Sequence, residues 1–303
     1  MRRWVAALLW GALFLSGAAC ASFQDGLNAY RHGDYASAYK EWLPLAKKGN
    51  ANAENNLGVM YEKGYGVARD PVQAAKWYAE AAKKGHVQAA NNLGVLYEKG
   101  LGVKQNYVEA VKWYRDAAKK GDANAANNLG VLYFHGHGVK QDYAKAIEWY
   151  RKAAKGGNIN AKNNLGVMYE KGHGVKQNYA EAEKWYRSAA EHGQAQAQNN
   201  LGVMYEKGRG VKEDHVAAAQ WYRAAAMQGD AQAQNNLGVL YGKGEGVPRD
   251  YVQAYTWFSL AAARGNNNAV KNRDFISRRL SASQRKQADQ YVGTWRPQLT
   301  SAH

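Results

Sequence analysis

Apolar residues along this chain recur with the spacing of amphipathic α-helices. In the stretch Gly85–Lys120, Ala89, Leu93 and Leu96 fall on one face of a first helix. Ala110 and Tyr114 fall on one face of a second helix, which a loop rich in glycine separates from the first. The stretch therefore predicts a pair of helices.

The same pattern repeats along most of the chain. A pair of asparagines followed by Leu-Gly-Val recurs every 36 residues, beginning at Asn55, Asn91, Asn127, Asn163, Asn199 and Asn235. A tryptophan followed by an aromatic residue keeps the same step, at Trp77, Trp113, Trp149, Trp185, Trp221 and Trp257. Such strict self-similarity predicts stacked two-helix units rather than a closed globular domain.

Recurring small and polar residues mark the boundaries and contacts of these units. Before each second helix stands a residue whose side chain can cap it: Asp70, Asn106, Asp142, Asn178, Asp214 and Asp250. A glycine also recurs inside each first helix, at Gly58, Gly94, Gly130, Gly166, Gly202 and Gly238. Since glycine costs about 1 kcal/mol relative to alanine there, we expect a neighbouring Trp or Tyr to need the space that a Cβ would occupy.

The first 21 residues have the layout of a secretory signal peptide. Arg2 and Arg3 precede a short apolar stretch, and small residues ending at Ala21 offer a cleavage site. A cut before Cys20 with lipid attachment is the alternative, but Gly17 stands where a lipoprotein signal normally has a large aliphatic residue. No later segment is apolar enough for a membrane span. We therefore predict a periplasmic or secreted protein without disulfides, because Cys20 is its only cysteine.

The charge of the chain favours acidic partners. The net charge is +16 at pH 7, and the positive residues are spread along the repeats. Acidic protein segments and anionic envelope polymers are the expected partners. Nucleic acid is not, because an exported chain does not meet it.

The repeat itself resembles a known family. Read from Ala89 to Gly121, the chain follows A-x-x-N-L-G-x-x-Y-x-x-G-x-G-V, a capping residue, A-x-x-W-Y-x-x-A-A-x-x-G, which is similar to the Sel-1-like repeat, a relative of the tetratricopeptide repeat. The resemblance implies an all-α, right-handed α-solenoid of stacked antiparallel helix pairs with a concave groove, acting as an adaptor. The domains expected are a signal peptide (1–21), a tetratricopeptide-like capping unit (22–54), six repeats (55–265), and C-terminal capping helices with a tail (266–303).

The asparagine pairs are the main candidate for a binding site. The second member of each pair lies on the apolar stripe, so we expect it to be structural. The first member points elsewhere and has two interpretations. It is either structural, or it lines the groove and offers amide groups to an extended peptide. The candidate partner-binding residues are therefore Asn55, Asn91, Asn127, Asn163, Asn199 and Asn235.

Other candidate chemistry is weaker. Ser37 and Ser283 each begin an S-x-x-K sequence, but the S-D-N and K-T-G motifs that penicillin-recognising enzymes also need are missing. His137 and His173 occupy equivalent positions in neighbouring repeats, too far apart for one zinc ion, and their loop tip varies between repeats. The Trp-Tyr column is expected in the core rather than on a sugar-stacking surface. No catalytic, metal or cofactor site is expected.

These observations favour a non-catalytic periplasmic or secreted scaffold that binds a protein segment through its groove, in envelope assembly, signalling or host interaction. Two alternatives remain at this point. One is an envelope hydrolase acting on β-lactams or peptidoglycan. The other is a module that binds an anionic polysaccharide.

We expect the purified protein not to hydrolyse nitrocefin, because the sequence lacks two of the three motifs that such catalysis requires. Absorbance at the wavelength of the hydrolysed product measures this directly. Turnover that disappears in the variant Ser37→Ala would contradict the non-catalytic interpretation.

Overall fold

The computed structural model describes residues 22–298, and within that range the chain forms sixteen α-helices and no strand. The all-α fold expected from the sequence is confirmed. The signal peptide expected at 1–21, with Cys20, lies outside the described residues, as does the tail after residue 298.

The helices belong to two compact units that meet in sequence between Gln105 and Asn106. The first unit contains α1 Phe23–Arg31, α2 Tyr35–Lys47, α3 Ala51–Lys63, α4 Pro71–Lys83 and α5 Val87–Lys99. The second contains α6 Tyr107–Lys119, α7 Ala123–His135, α8 Tyr143–Lys155, α9 Ile159–Lys171, α10 Tyr179–Ala190, α11 Ala195–Glu206, α12 His215–Met227, α13 Ala231–Lys243, α14 Tyr251–Ala262, α15 Asn267–Ser277 and α16 Ala282–Thr294.

Side-chain caps and glycines set the helix boundaries. The Asn178 side chain accepts a hydrogen bond from the backbone of Glu181 and so begins α10. All six capping residues expected before the second helices act in this way. The first helix α9 begins at the cap Asn158 and ends at Gly172, whose φ of 73° is left-handed. Each repeat therefore specifies its own two helices locally.

In five repeats, a tyrosine or phenylalanine of the second helix packs against the glycine inside the first helix of the same repeat. A Cβ added to Gly166 would lie 2.5 Å from the ring of Tyr186, which is fully buried. The same contact joins Gly58 to Tyr78, Gly130 to Tyr150, Gly202 to Tyr222 and Gly238 to Phe258. The expected aromatic neighbour is thus the second member of the Trp-Tyr pair, whereas Trp185 beside it is only partly buried.

The tips of the Gly-x-Gly loops dock onto the preceding repeat. Gly174 has a φ of 69°, and a Cβ on it would lie 2.8 Å from the carbonyl carbon of Tyr143. The ring of His173 stacks on that of Tyr143 with centroids 4.7 Å apart. The loop tip that varies in sequence between repeats thus contacts the preceding repeat at this position. The side chain varies between repeats, but glycine is required because the backbone of one repeat touches the backbone of another.

Different aromatic residues close the two ends. In the first unit, Trp42 takes the place of the repeat tyrosine and lies against Gly26 of α1. In the second unit, Trp295 after α16 is buried with the core of α12 and α13. The backbone N–H of Gln298 donates to the carbonyl of Met227 at 2.8 Å. The end segments thus cover apolar surface that another repeat would otherwise cover.

Substitution of Gly166 by alanine should destabilise the fold, because the new methyl group would overlap the Tyr186 ring. Overpacking of this kind lowers the free energy of unfolding by about 1–3 kcal/mol. Urea unfolding followed by circular dichroism measures the change.

Gly293→Ala is the matched control, since no side chain or backbone lies within 4 Å of the added atom. Helix propensity predicts a gain of up to about 1 kcal/mol there. Equal unfolding midpoints for the two variants would show that the Gly166 contact does not limit the packing.

Candidate functional site

The asparagine pairs form a ladder that joins the first helices of successive repeats. In the second unit, the second asparagine of one repeat donates through Nδ2 to Oδ1 of the first asparagine of the preceding repeat. The rungs are Asn164 to Asn127 at 3.0 Å, Asn200 to Asn163 at 3.1 Å, Asn236 to Asn199 at 3.0 Å and Asn272 to Asn235 at 2.9 Å. The ladder holds α7, α9, α11, α13 and α15 side by side.

The ladder gives both asparagines of a pair a structural role, which is the role expected for the second member and one of the two interpretations of the first. The proposed partner-binding residues are buried: Asn55, Asn127, Asn163, Asn199 and Asn235 are between 3% and 9% exposed. Asn91 is partly buried. The second members, expected to be structural, donate the rungs and are only partly buried. In the second unit the first members are buried because α7, α9, α11 and α13 are each covered on two sides, by the second helix of their own repeat and by that of the preceding repeat. Burial therefore extends beyond one apolar stripe.

The first unit has one interrupted rung. Nδ2 of Asn55 donates weakly to Oδ1 of Asn56 at 3.4 Å, while the buried Oδ1 of Asn55 has no partner among the described residues. It lies beside a cavity of about 160 Å³ lined by Leu27, Tyr30 and Trp42, among others. At Asn55 the first unit thus has a different bond from the rungs of the second unit.

The exposed side of the first helices in the second unit forms one surface, which we name the first-helix face. In α9 it comprises Asn160, Asn164, Val167 and Lys171, at the spacing i, i+4, i+7 and i+11 of a single helix face. The complete face is Asn124, Asn128, Val131, His135; Asn160, Asn164, Val167, Lys171; Gln196, Asn200, Val203, Lys207; Gln232, Asn236, Val239, Lys243; and Asn268, Asn272, Phe275, Arg279.

Four columns of distinct chemistry run along this face. Two columns carry amides, one carries valine or phenylalanine, and one carries histidine, lysine or arginine. No acidic residue occupies any of the twenty positions. The face is also tied to the helix caps, since Nδ2 of Asn158, the cap of α9, donates to Oδ1 of Asn124 at 2.8 Å. The surface can therefore donate and accept hydrogen bonds, cover apolar groups and attract carboxylates.

Beside the valine column, a glutamate of the first helix accepts a hydrogen bond from the tyrosine of the second helix in several repeats. The hydroxyl of Tyr186 donates to Oε2 of Glu170 at 2.8 Å, and Tyr78 and Glu62 make the same bond at 2.8 Å. Burial raises the pKa of the Tyr186 hydroxyl, and the Glu170 carboxylate raises it further, so the hydroxyl stays protonated and donates.

The other residues singled out by sequence have local roles. The backbone N–H of Ser37 donates to the capping side chain of Asp34, and Oγ of Ser283 bonds to Oγ of Ser281. The ring of His137 lies tilted against that of Tyr107, and the ring of His173 stacks on that of Tyr143. Within residues 22–298, no group of three His, Cys, Asp or Glu side chains is arranged to hold a metal ion.

Comparison with protein families matches six consecutive segments to the Sel1 repeat. The segments are 51–86, 87–122, 123–158, 159–194, 195–230 and 231–266. The chain belongs to the Sel1 repeat family. In this Sel1 repeat protein the matched segments cover well over half of the sequence, and each contains one first helix and one second helix.

Solved structures include several Sel1 repeat relatives. A Sel1 repeat protein from Oxalobacter formigenes is 35% identical, with a TM-score of 0.73 over 78% of this chain and 94% of that one. A protective antigen from uropathogenic Escherichia coli that displays an SLR fold is 32% identical, with a TM-score of 0.40 over 91% of this chain and 77% of that one. A sel1 repeat protein from Klebsiella pneumoniae is 22% identical, with a TM-score of 0.46 over 67% of this chain and 99% of that one. No curated protein matches the chain.

The variant Asn200→Ala should destabilise this Sel1 repeat protein, because it leaves the buried Oδ1 of Asn163 without its donor. An unsatisfied buried group of this kind costs about 1–3 kcal/mol. In a double-mutant cycle with Asn163→Ala, we expect a coupling free energy of about 0.5–3 kcal/mol from urea unfolding.

Asn268→Ala provides the control, since Asn268 is an exposed member of the first-helix face. Its effect should stay within about 0.5 kcal/mol. Additive effects at positions 163 and 200 would contradict an energetic role for the ladder.

Proposed function

We propose that the protein is a non-catalytic scaffold that binds an acidic, extended protein segment along the first-helix face. Sel1 repeat proteins generally mediate protein–protein interaction, and the fold is that of the family. Our proposal adds which surface of the protein binds the partner and what chemistry the partner has.

The single observation that carries the proposal is the register of the four columns. Side chains of the same chemistry recur on five successive first helices, and the asparagine ladder fixes their order. A partner that follows the face would meet an amide, an apolar side chain and a cation at each repeat. An extended backbone satisfies the amides, and carboxylates satisfy the cations.

We also propose that the protein acts outside the cytoplasm, in the periplasm or after secretion. Residues 1–21 have the composition of a cleavable export signal, with lipid attachment at Cys20 as the less favoured processing. Within residues 22–298, no helix combines the length and apolarity needed to cross a bilayer. An envelope or extracellular role in assembly, signalling or host interaction is consistent with this location.

An anionic polysaccharide is the second candidate partner, because the chain carries a net charge of +16. Attraction to a polymer would depend on total charge, whereas recognition of a protein segment would depend on where the charges lie. The two candidates can therefore be separated by moving charge without changing its amount.

The test compares two variants of equal net charge. Lys171→Glu/Lys207→Glu reverses two neighbouring positions of the basic column, and Lys176→Glu/Lys212→Glu reverses two exposed loop lysines. The immobilised proteins are exposed to an envelope extract, and quantitative mass spectrometry measures what is retained. We expect the face variant to lose at least about tenfold of the specific protein signal and the loop variant to retain it, because only the first removes cations from the face.

Equal loss in both variants, together with salt-sensitive retention of anionic polysaccharide, would favour the polymer. Unchanged protein retention by the face variant would contradict the proposal. Circular dichroism of both variants checks that the fold is intact.

A further inference from the structure

The last repeat carries an open apolar pocket at the end of the first-helix face. The pocket has a volume of about 170 Å³ and lies between α13, α14 and α15. Val239, Phe258 and Ile276 line it, with Phe275 at its side. Phe275 is 61% exposed, so a large aromatic ring is available to an incoming group. A cavity of about 150 Å³ is enough to hold a benzene ring.

Comparison with the sibling repeats shows why this pocket is open. The position of Gly242 is occupied by Glu170 in the fourth repeat, and the position of Phe258 is occupied by Tyr186. The sixth repeat thus lacks both the glutamate and the hydroxyl that bond to each other elsewhere. The Phe258 ring nevertheless keeps the tyrosine's place, because it lies 2.7 Å from the Cβ position of Gly238.

Both members of the polar pair are replaced in the sixth repeat. In the third repeat only the glutamate is replaced, by Phe134, and Tyr150 keeps its hydroxyl. Loss of both partners leaves an apolar surface with no unsatisfied group. In the sixth repeat an apolar surface therefore replaces the hydrogen-bonded tyrosine and glutamate that most other repeats have at this place.

The third repeat shows an intermediate case. There Phe134 stands at the glutamate position, and a smaller space of about 140 Å³ remains beside Tyr150 and Val167. The ring of Phe134, a residue of the chain itself, thus lines this part of the third repeat. In the sixth repeat, glycine at the same position leaves the space to an outside group.

Cations border the open pocket. Arg279 donates to the hydroxyl of Tyr251 at 3.0 Å and lies over the rings of Tyr251 and Phe275, and it makes no ion pair among residues 22–298. Lys243 pairs with Glu245 at 3.3 Å, but the lysine side chain is 55% exposed, so this pair contributes little. In the fourth repeat the equivalent lysine, Lys171, has Glu170 beside it at 3.5 Å. The pocket therefore joins an apolar floor to a rim of positive charge.

We propose that this pocket anchors the acidic partner by binding one phenylalanine or large aliphatic side chain that a carboxylate flanks. The ring enters the space left by Gly242, and the carboxylate meets Arg279 and Lys243. This inference rests on the proposed function, because it assigns one anchor point to the same partner on the same face.

The experiment measures binding of a labelled peptide, Gly-Asp-Phe-Asp-Gly, to the whole protein by fluorescence anisotropy. The main variant, Gly242→Glu/Phe258→Tyr, rebuilds the pair that closes the fourth repeat. We expect it to weaken binding at least about tenfold, since it fills the pocket and adds a negative charge. Gln253→Glu is the charge-matched control, because it adds the same charge at an exposed position of α14, and it should bind as the unaltered protein does.

Arg279→Gln tests the rim without filling the pocket, and a several-fold loss is expected. Peptides with alanine in place of phenylalanine, or lysine in place of aspartate, should bind at least about tenfold more weakly. Unchanged affinity in both Gly242→Glu/Phe258→Tyr and Arg279→Gln would overturn the proposal, as would equal binding of the alanine peptide.

The outcomes separate this proposal from the wider one. If retention of the envelope partner depends on Lys171 and Lys207 but not on the pocket, the pocket proposal fails and the proposed function stands. If the peptide needs the pocket while partner retention ignores the basic column, the pocket stands and the proposed function fails.

Discussion

The contact between a tyrosine ring and the backbone of a glycine-containing helix determines how closely the two helices of a repeat approach. At Gly166 a single methyl group would overlap the ring of Tyr186. The close approach buries the ring completely, and it also places the hydroxyl at the outer edge of the pair, where Glu170 accepts its hydrogen bond. The spacing of the two helices, the burial of the tyrosine ring and the position of its hydroxyl beside the glutamate therefore all depend on the absence of a Cβ at the glycine.

Two further contacts transmit this spacing from one repeat to the next. The asparagine ladder joins first helices, and the loop tip at His173 rests on Tyr143 at the start of the preceding second helix. One contact is a hydrogen bond between side chains, and the other depends on two backbones that touch at Gly174. Together they hold each repeat at two separated points, so the columns of the first-helix face stay in register.

Much of this architecture could be predicted from the sequence, because the sequence signals that specify it are local and repeat six times. The period, the helix pairs and the helix caps can be recognised without knowing which segments contact each other in the fold. The direction of individual side chains was harder. Trp185 and Tyr186 are adjacent, and periodicity alone does not show which ring enters the core. The apolar stripe of the sequence does not show that Asn163 is more buried than Asn164, because a single stripe describes a helix covered on one side, whereas α9 is covered on two.

The similarity of the repeats also explains where recognition can arise. A framework residue has the same task in each repeat, so a tolerated change there must leave the helix spacing intact. Gly242 and Phe258 replace the glutamate and the tyrosine together, so neither the carboxylate nor the hydroxyl of that pair is left without the other. A paired change of this kind alters the surface chemistry of one repeat and leaves the helix spacing intact, since Phe258 still occupies the place of the tyrosine. The surface side chains of one repeat can thus change while the contacts between the other helices keep the repeats stacked in register.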